Sequence, residues 1–505
     1  MAGLALLVVL MAVSAWLGTG LDRWAQAFDH DRLLVLVGVM TAAGAVYVAA
    51  SLGAVRWSRS AAAGRGLVWA IVLGGLLIRL PWFFGDPLLE DDHFRYLWDG
   101  QVTAIGEDPY ALSPTEILAG LDPNATPEPP QGPLWDAARD AQARDTLGRI
   151  NHPEVRTIYP PVAQLGFAVA QAITPYRVFG LRLLFLVCEV LTVWGLWVAL
   201  RRLGRPTGWA AVYAWNPLLA WSLIGAAHMD ALILPCLAWA LASAARGGVI
   251  GASGLLAVAA GVKLWPAMLA PLLWRSFWKR PVSAGLGALV FCAVTIVLVV
   301  PPIAAIEKPT GGHDAGLLAY SSRWRFNDAL FSVFYNHYLE EIGDTDKLQP
   351  KVKSASRQAA AVALFGVLGV AMLLPGSVSR DPDDSSAAKR NRQAGLAVSR
   401  RWLIATAALF MLSPTQLPWY AVWLAPMLVL TPSVGLMLYA GSLPLYYLWL
   451  HPAPPWGLGL ETSPWVQNGV VWAVLLLEGL ALGLWWAWRR AKAGKASKPP
   501  PNASS

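Results

Sequence analysis

The chain has 505 residues, is 56% hydrophobic and only 14% charged, and carries 27 tryptophans, with a mean hydropathy of +0.47. This composition excludes a water-soluble globule and indicates a polytopic membrane protein. The net charge of +8 does not imply a nucleic-acid partner, because the cations gather in short loops and at the tail, where they fix orientation in a bilayer.

Apolar runs long enough to cross a membrane fall near 3–20, 33–54, 66–84, 179–200, 207–224, 230–246, 282–300, 357–375, 402–414, 434–450 and 466–488. Shorter runs near 159–175, 249–262, 264–274 and 420–431 are bounded by proline or charge. The first run lacks a basic segment behind Met1 and a clear small-residue cleavage site, so it reads as a retained helix. Cys188, Cys236 and Cys292 lie in apolar runs without metal-site or disulfide spacing and read as unreactive core thiols.

Arg56, Arg59 and Arg65 follow the second run, and Arg489, Arg490, Lys492, Lys495 and Lys498 follow the last. The positive-inside rule puts both groups in the cytoplasm and the segment from Asp86 to Ile158 outside. The basic loop from Ser379 to Arg401 reads as a cytoplasmic linker, so 301–356 and 414–419 face outward. Between 158 and 280 the count leaves two readings: either 159–175 does not cross, or 249–274 is one kinked span.

The first outer loop, roughly 70 residues, is long for a membrane connection, and such loops are usually functional. It opens on Asp91-Asp92-His93-Phe94-Arg95-Tyr96-Leu97-Trp98-Asp99-Gly100. As a helix this run sets Asp92, Arg95, Tyr96 and Asp99 on one face at i, i+3, i+4 and i+7, with Phe94, Leu97 and Trp98 on the other as an anchor at the bilayer surface. The bland reading is a juxtamembrane amphipathic helix with solvated charges. The loop closes on Asn151 to Pro161, where Pro160 and Pro161 enforce an extended approach and Tyr159 nears the membrane surface.

The second outer loop combines His313 with Arg323, Trp324 and Arg325, a mixture suited to a phosphate beside a sugar. The third, Leu412 to Tyr420, carries no charge and reads equally as an interfacial aromatic belt. Lys263, His228 and Asp230 stand at the edges of spans, where an ionisable group is costly without a partner, so each reads either as a site residue or as a snorkelling one. Glu189 and Glu478 lie deeper, and helix-to-helix bonding of a protonated or paired acid accounts for them.

Taken in order, several of these pieces resemble the superfamily C (GT-C) glycosyltransferases, in particular bacterial mannosyltransferase-like members that use a polyprenyl-phosphate sugar. They are Asp91-Asp92 with Arg95 to Gly100, Gly106 with Asp108-Pro109-Tyr110, Thr157 to Pro161, Trp215-Asn216-Pro217, His228 with Asp230, Lys263-Leu264-Trp265-Pro266, and Ser413-Pro414-Thr415 with Pro418-Trp419-Tyr420. Two extra spans, those of the hairpin at 1–55, precede the family module, which usually opens with the single helix before the acidic loop, and Asp108 stands where relatives often carry asparagine.

The resemblance implies an all-α polytopic GT-C-type transmembrane bundle of about 12–14 spans, with two long outer loops carrying short helices. It divides the chain into an extra N-terminal hairpin at 1–55, a GT-C-like module at 56–300 with its catalytic loop at 86–158, the second outer loop at 301–356, C-terminal spans at 357–490 and a disordered cytoplasmic tail at 491–505. The expected location is a bacterial plasma membrane, with the active site facing outward or to the periplasm.

It further implies transfer of a sugar, mannose by the nearest resemblance, from a polyprenyl-phosphate donor to a hydroxyl of a cell-envelope lipid or glycan, with membrane lipids as the other partners. An Asp within hydrogen-bond reach of the acceptor hydroxyl can take its proton, Asp92 first and Asp91 second. Arg323, Arg325, His313 and Lys263 are the candidates for the departing phosphate. Arg95, Tyr96, Trp98, Asp99, Tyr159, Trp324, His228 and Asp230 are candidates for sugar or acceptor contacts. The resemblance fixes no cofactor: Asp91, Asp92 and Asp99 offer hard oxygens to a divalent cation, although a phosphate leaving group with Arg and Lys nearby does not need one. The alternative is a transporter or flippase of a lipid-linked sugar, which predicts discontinuous helices and mid-membrane ionisable residues.

Overall fold

A computed structural model describes residues 1–21, 28–60, 64–122, 130–306, 325, 330–375, 386–450 and 478–480. The described chain is helical, as expected of an all-α polytopic membrane protein. Six of its helices are long and apolar enough to cross a bilayer: α2 (His30–Trp57), α3 (Gly64–Phe83), α9 (Val178–Leu203), Pro281–Val300, Gln349–Leu373 and Ala387–Leu412. The remaining apolar elements are shorter and include α1 (Ala2–Gly18), α8 (Pro161–Ile173) and Val249–Val262. The run at 466–488 and the tail fall outside the described residues, apart from 478–480.

Local chemistry sets the helix ends. Asp29 caps α2 by accepting from the Arg32 amide at 2.9 Å, and α9 stops at Gly204, whose φ of +66° is the left-handed conformation that closes helices. Large apolar side chains remain exposed along single faces, among them Trp69, Leu73 and Leu80 of α3, Val190 and Trp194 of α9, and Val362 and Phe365 of Gln349–Leu373. Such faces are costly in water and suited to lipid. Cys188 is buried, whereas Cys292 is exposed, so the expectation that all three thiols are core residues holds only in part.

Deep in the bundle Arg79 of α3 meets Glu189 of α9 in a two-pronged ion pair, with both contacts at 2.6 Å. Arg79 also donates to the carbonyls of Gly75 at 3.0 Å and Ala214 at 2.7 Å. Glu189 is thus a paired acid, and the partner it required is the one charge inside α3's apolar run. Glu478 accepts from the Ser433 hydroxyl.

The stretches at 207–224 and 230–246, expected as two separate spans, take a different path. Short turns through 207–214 lead to Asn216, which caps a new start at Pro217 by accepting from the Leu218 amide at 3.0 Å. Pro217–Gly225 and Met229–Ala245 then meet at an angle of 109°. Hydropathy counts apolar residues along the chain and does not sense this change of direction.

The loop at 86–158 folds into a helical cap of α4 (Asp92–Ala104), α5 (Pro114–Gly120), α6 (Pro133–Arg139) and α7 (Ala141–Gly148). Its own apolar core comprises Trp98, Val102, Ile117, Ala138, Ala143, Leu147 and Ile150. The expected anchoring of Phe94, Leu97 and Trp98 at the bilayer surface is therefore corrected: Trp98 closes the cap's core with Phe94 packed against it, and Leu97 joins the main core. An amphipathic pattern reports that a face is covered, but not by what. Below the cap, α4 lies so close to α8 that a Cβ at Gly100 would come within 2.5 Å of the Phe167 carbonyl oxygen.

Candidate active site

Asp91 and Asp92 open α4, with Asp91 at the position just before the first turn. A carboxylate there ordinarily caps the helix, but Asp91 instead accepts from the Asn151 side-chain amide at 2.7 Å. The same amide nitrogen donates to Asp92 Oδ1 at 3.0 Å, so one side chain from the far end of the cap holds both acids. Asp91 is 5% exposed, whereas the Asp92 side chain is 25% exposed. Of the two, Asp92 is the one an outside molecule can reach.

Across from Asp92, His228 brings Nδ1 to 3.7 Å from Oδ2, ion-pair distance when the imidazole carries a proton. The ring is stacked on Trp419 at 4.0 Å between centroids. Two residues on, Asp230 Oδ1 accepts from Lys263 Nζ at 3.0 Å and from Trp423 Nε1 at 2.6 Å. The Lys263 ammonium also lies 4.3 Å from the Tyr420 ring centre and 5.0 Å from that of Trp423, within cation–π range. His228, Asp230 and Lys263 therefore have fixed partners and do not snorkel. The third loop is no surface belt either, since Trp419, Tyr420 and Trp423 are buried around this cluster.

Arg182 of α9 holds the break in place. Its guanidinium donates to the carbonyls of Ile224 and Gly225 at 2.7 Å each, to Phe83 at 3.0 Å, and to Gly85. An unwound backbone inside a membrane protein needs such partners. Ala227, directly before His228, has a φ of +57°. Among the described residues only three other non-glycines share this left-handed region: Leu89 before the acidic run, His152 beside Asn151, and Tyr176 beside His93's cavity. Strained backbone of this kind costs about 1–3 kcal/mol per residue and persists where surrounding contacts over-determine it, often at functional sites.

The rest of α4 is more structural than its sequence suggests. Arg95 donates to the carbonyls of His152 at 3.0 Å and Asn151 at 3.4 Å, bracing the Asn151 turn. Tyr96 stacks on Phe167 at 4.6 Å and meets Tyr159 edge-on at 5.3 Å, with the two phenols hydrogen-bonded. Asp99 is buried and accepts from Gln164 at 3.2 Å. Burial raises its pKa, against the pull of Arg95 and of bonds from Thr157 and Gln164. Trp98 fills the cap's core and offers no face to a sugar. Arg325 lies with its guanidinium carbon 3.6 Å from the Tyr335 ring centre. His313, Arg323 and Trp324 lie outside the described residues.

Asn151, Arg182, Ala227, Trp423 and Glu90 are the additions that the sequence did not single out. Glu90 accepts from the Tyr447 hydroxyl at 2.8 Å. No spacing announces these residues, because each contact joins segments distant in the chain. Among the described residues no group of three or more His, Cys, Asp or Glu side chains could hold a metal ion, and Asp91, Asp92 and Asp99 do not converge, because Asp99 points to Gln164 instead.

Two measurements bear on this arrangement. Burial, with Arg182, His228 and Arg149 nearby, lowers the His93 pKa to about 3. The unfolded chain takes up that proton near pH 6.5, so the stability from neutral His93 is complete above that pH and is lost as pH falls from about 6.5 towards 3, at up to about 1.4 kcal/mol per pH unit. A thermal midpoint that falls over this window in wild type and falls less in His93→Gln is expected; equal slopes would remove His93 from the account. Trp423→Phe keeps the ring and deletes only the donor to Asp230, so a loss of about 1–3 kcal/mol is expected by thermal shift. An unchanged midpoint would show that Lys263 suffices to hold Asp230.

Residues 154–278 match the family model of the MptA_B family, alpha-(1->6)-mannopyranosyltransferase, N-terminal domain. The matched segment contains His228, Asp230 and Lys263, and excludes Asp91, Asp92 and the third loop. It supports a GT-C-like mannosyltransferase and hence a mannosyl-transfer function. Searches of curated proteins and of solved structures returned no match.

Proposed function

We propose that this protein is an integral-membrane glycosyltransferase that moves mannose from a polyprenyl-phosphate donor to a hydroxyl of a cell-envelope lipid or glycan, on the outer face of a bacterial plasma membrane. The observation that carries the reading is the reachable Asp92 carboxylate, held by Asn151 and facing His228 across the bend at Ala227. Asp92 takes the proton of the acceptor hydroxyl as that oxygen bonds to the anomeric carbon. The bond from that carbon to the phosphate oxygen breaks, and its electron pair leaves with the polyprenyl phosphate. A single displacement inverts the anomeric centre.

Lys263 is a weak candidate for the leaving phosphate, because its charge is already matched by Asp230 at 3.0 Å. Its role in this reading is to fix Asp230 and the aromatic wall of Trp423 and Tyr420. The donor's phosphate falls instead to the second outer loop, with Arg323 and His313 as its cations. His228, 3.7 Å from Asp92, the Trp419 ring stacked on it, and Tyr159 are the groups assigned to a sugar held over Asp92 in this reading.

The transport alternative has two observations in its favour, the deep Arg79–Glu189 pair, whose charges are matched to each other, and the broken helix pair at 225–229. Transporters leave such breaks open to coordinate ions, whereas here the carbonyls of Ile224 and Gly225 are taken by Arg182. Incubating the purified protein with synthetic polyprenyl-phosphate mannose and a membrane lipid extract tests the choice. A new mannosylated product by mass spectrometry is expected. Flipping of the donor in liposomes without any product would overturn the enzyme reading.

A further inference from the structure

On the side of α4 turned away from Asp92, the cap and the start of α9 enclose an open cavity of about 330 Å³. His93 lies one residue along α4 from Asp92, roughly 100° around the helix, and lines this cavity with Phe94, Gln142, Asp145, Tyr176 and Arg177. The volume lies within the range of small-molecule sites.

Two features single the cavity out. His93 Nδ1 and the Tyr176 hydroxyl are both buried and lack a hydrogen-bond partner. An unmet buried polar group costs about 1–3 kcal/mol, and two on one lining call for a ligand that supplies both bonds. Tyr176 is also held at a φ of +51°. Its amide donates to Gln171 Oε1 at 2.9 Å, and Gln171 in turn donates to Gln101 of α4 at 2.9 Å. The strain is therefore built into the contact between the cap and the membrane bundle.

The chemistry of the lining selects the ligand class. The lining carries one acid and one base, Asp145 and Arg177, and Asp145 is paired with Arg149 at 3.0 Å, so an anion is the competitor that a test must exclude. Amide, carboxylate, phenol and guanidinium groups together supply donors and acceptors in several directions, and Phe94 gives a flat apolar face. Burial, with Asp140 nearby, pushes the Tyr176 phenol up to about 12; like any tyrosine at neutral pH it is a neutral donor.

We infer that this cavity is a saccharide-binding subsite, which holds a sugar unit of the acceptor beyond the one that reacts at Asp92. The assignment to the acceptor rests on the proposed transfer reaction; the saccharide site itself does not. An acceptor passing over the first turn of α4 would present its end to Asp92 while its next units settle against Phe94, Gln142 and Tyr176.

The test uses the full chain in nanodiscs, with α-1,6-linked mannobiose as the probe in saturation-transfer NMR. Binding is expected, weakened about tenfold in Tyr176→Phe and likewise in Gln142→Ala. Because the Tyr176 hydroxyl bonds to nothing in the chain, Tyr176→Phe should fold with an unchanged or higher thermal midpoint. Absence of mannobiose binding, wild-type affinity in both variants, or displacement of the disaccharide by inorganic phosphate would each overturn the subsite. Mannobiose binding with the expected sensitivity but no mannosyl transfer would leave the subsite standing and remove the reaction; transfer without such binding would do the reverse.

Discussion

Asp92→Asn is expected to lower the turnover of mannosyl transfer by about 10²–10⁴, the range that a positioned general base contributes, with yield and thermal midpoint close to wild type. The substitution keeps the size of the side chain and an oxygen to accept from Asn151, so the geometry at the start of α4 survives while the proton acceptor is lost. Asp91→Asn provides the contrast. Asp91 is buried against Asn151 and out of reach of an acceptor, so its substitution should act through stability, with a far smaller fall in turnover. Steady-state assays with the two variants side by side separate the roles. Wild-type turnover by Asp92→Asn would remove Asp92 from the chemistry, and a reversed order would hand the role to Asp91.

The second large effect lies away from the chemistry. Glu189→Ala is expected to cost about 3–5 kcal/mol, because it strands the Arg79 guanidinium in the bundle with only the Gly75 and Ala214 carbonyls for company. The yield of monodisperse protein and its thermal midpoint should both fall. Replacing both partners by apolar residues of similar size, Arg79→Met with Glu189→Leu, should recover most of the loss, since a buried ion pair contributes little beyond a well-packed apolar pair. A double variant as damaged as the single one would mean that the pair acts through something other than charge balance.

Periodicity reached the site's first element and stopped at its neighbours. The spacing of Asp92, Arg95, Tyr96 and Asp99 places them on one helix, and α4 spans Asp92–Ala104. The use of that face was not legible: Arg95 braces a turn and Asp99 binds Gln164, because such roles depend on Asn151, His152 and Gln164, more than 50 residues further along the chain. The membrane-embedded charges follow the same pattern. A need for partners could be read from Lys263, Asp230 and Glu189, but not the identity of those partners. The aromatic third loop offered two readings of equal weight, and only its burial against His228 and Lys263 separates them. The cations of the second loop, His313 and Arg323, rest on sequence alone.

The site's dispersal along the chain also sets a timetable for its assembly. Glu90, at the mouth of the acidic run, finds its partner at Tyr447, 357 residues later, and Asp230 waits 193 residues for Trp423. At typical elongation rates the first of these intervals lasts roughly 20 to 70 s. A nascent chain thus presents its acids to the membrane long before the wall that encloses them has been synthesised. Ribosome stalling or truncation ahead of residue 423 would leave an inserted protein in which Asp230 lacks its Trp423 donor.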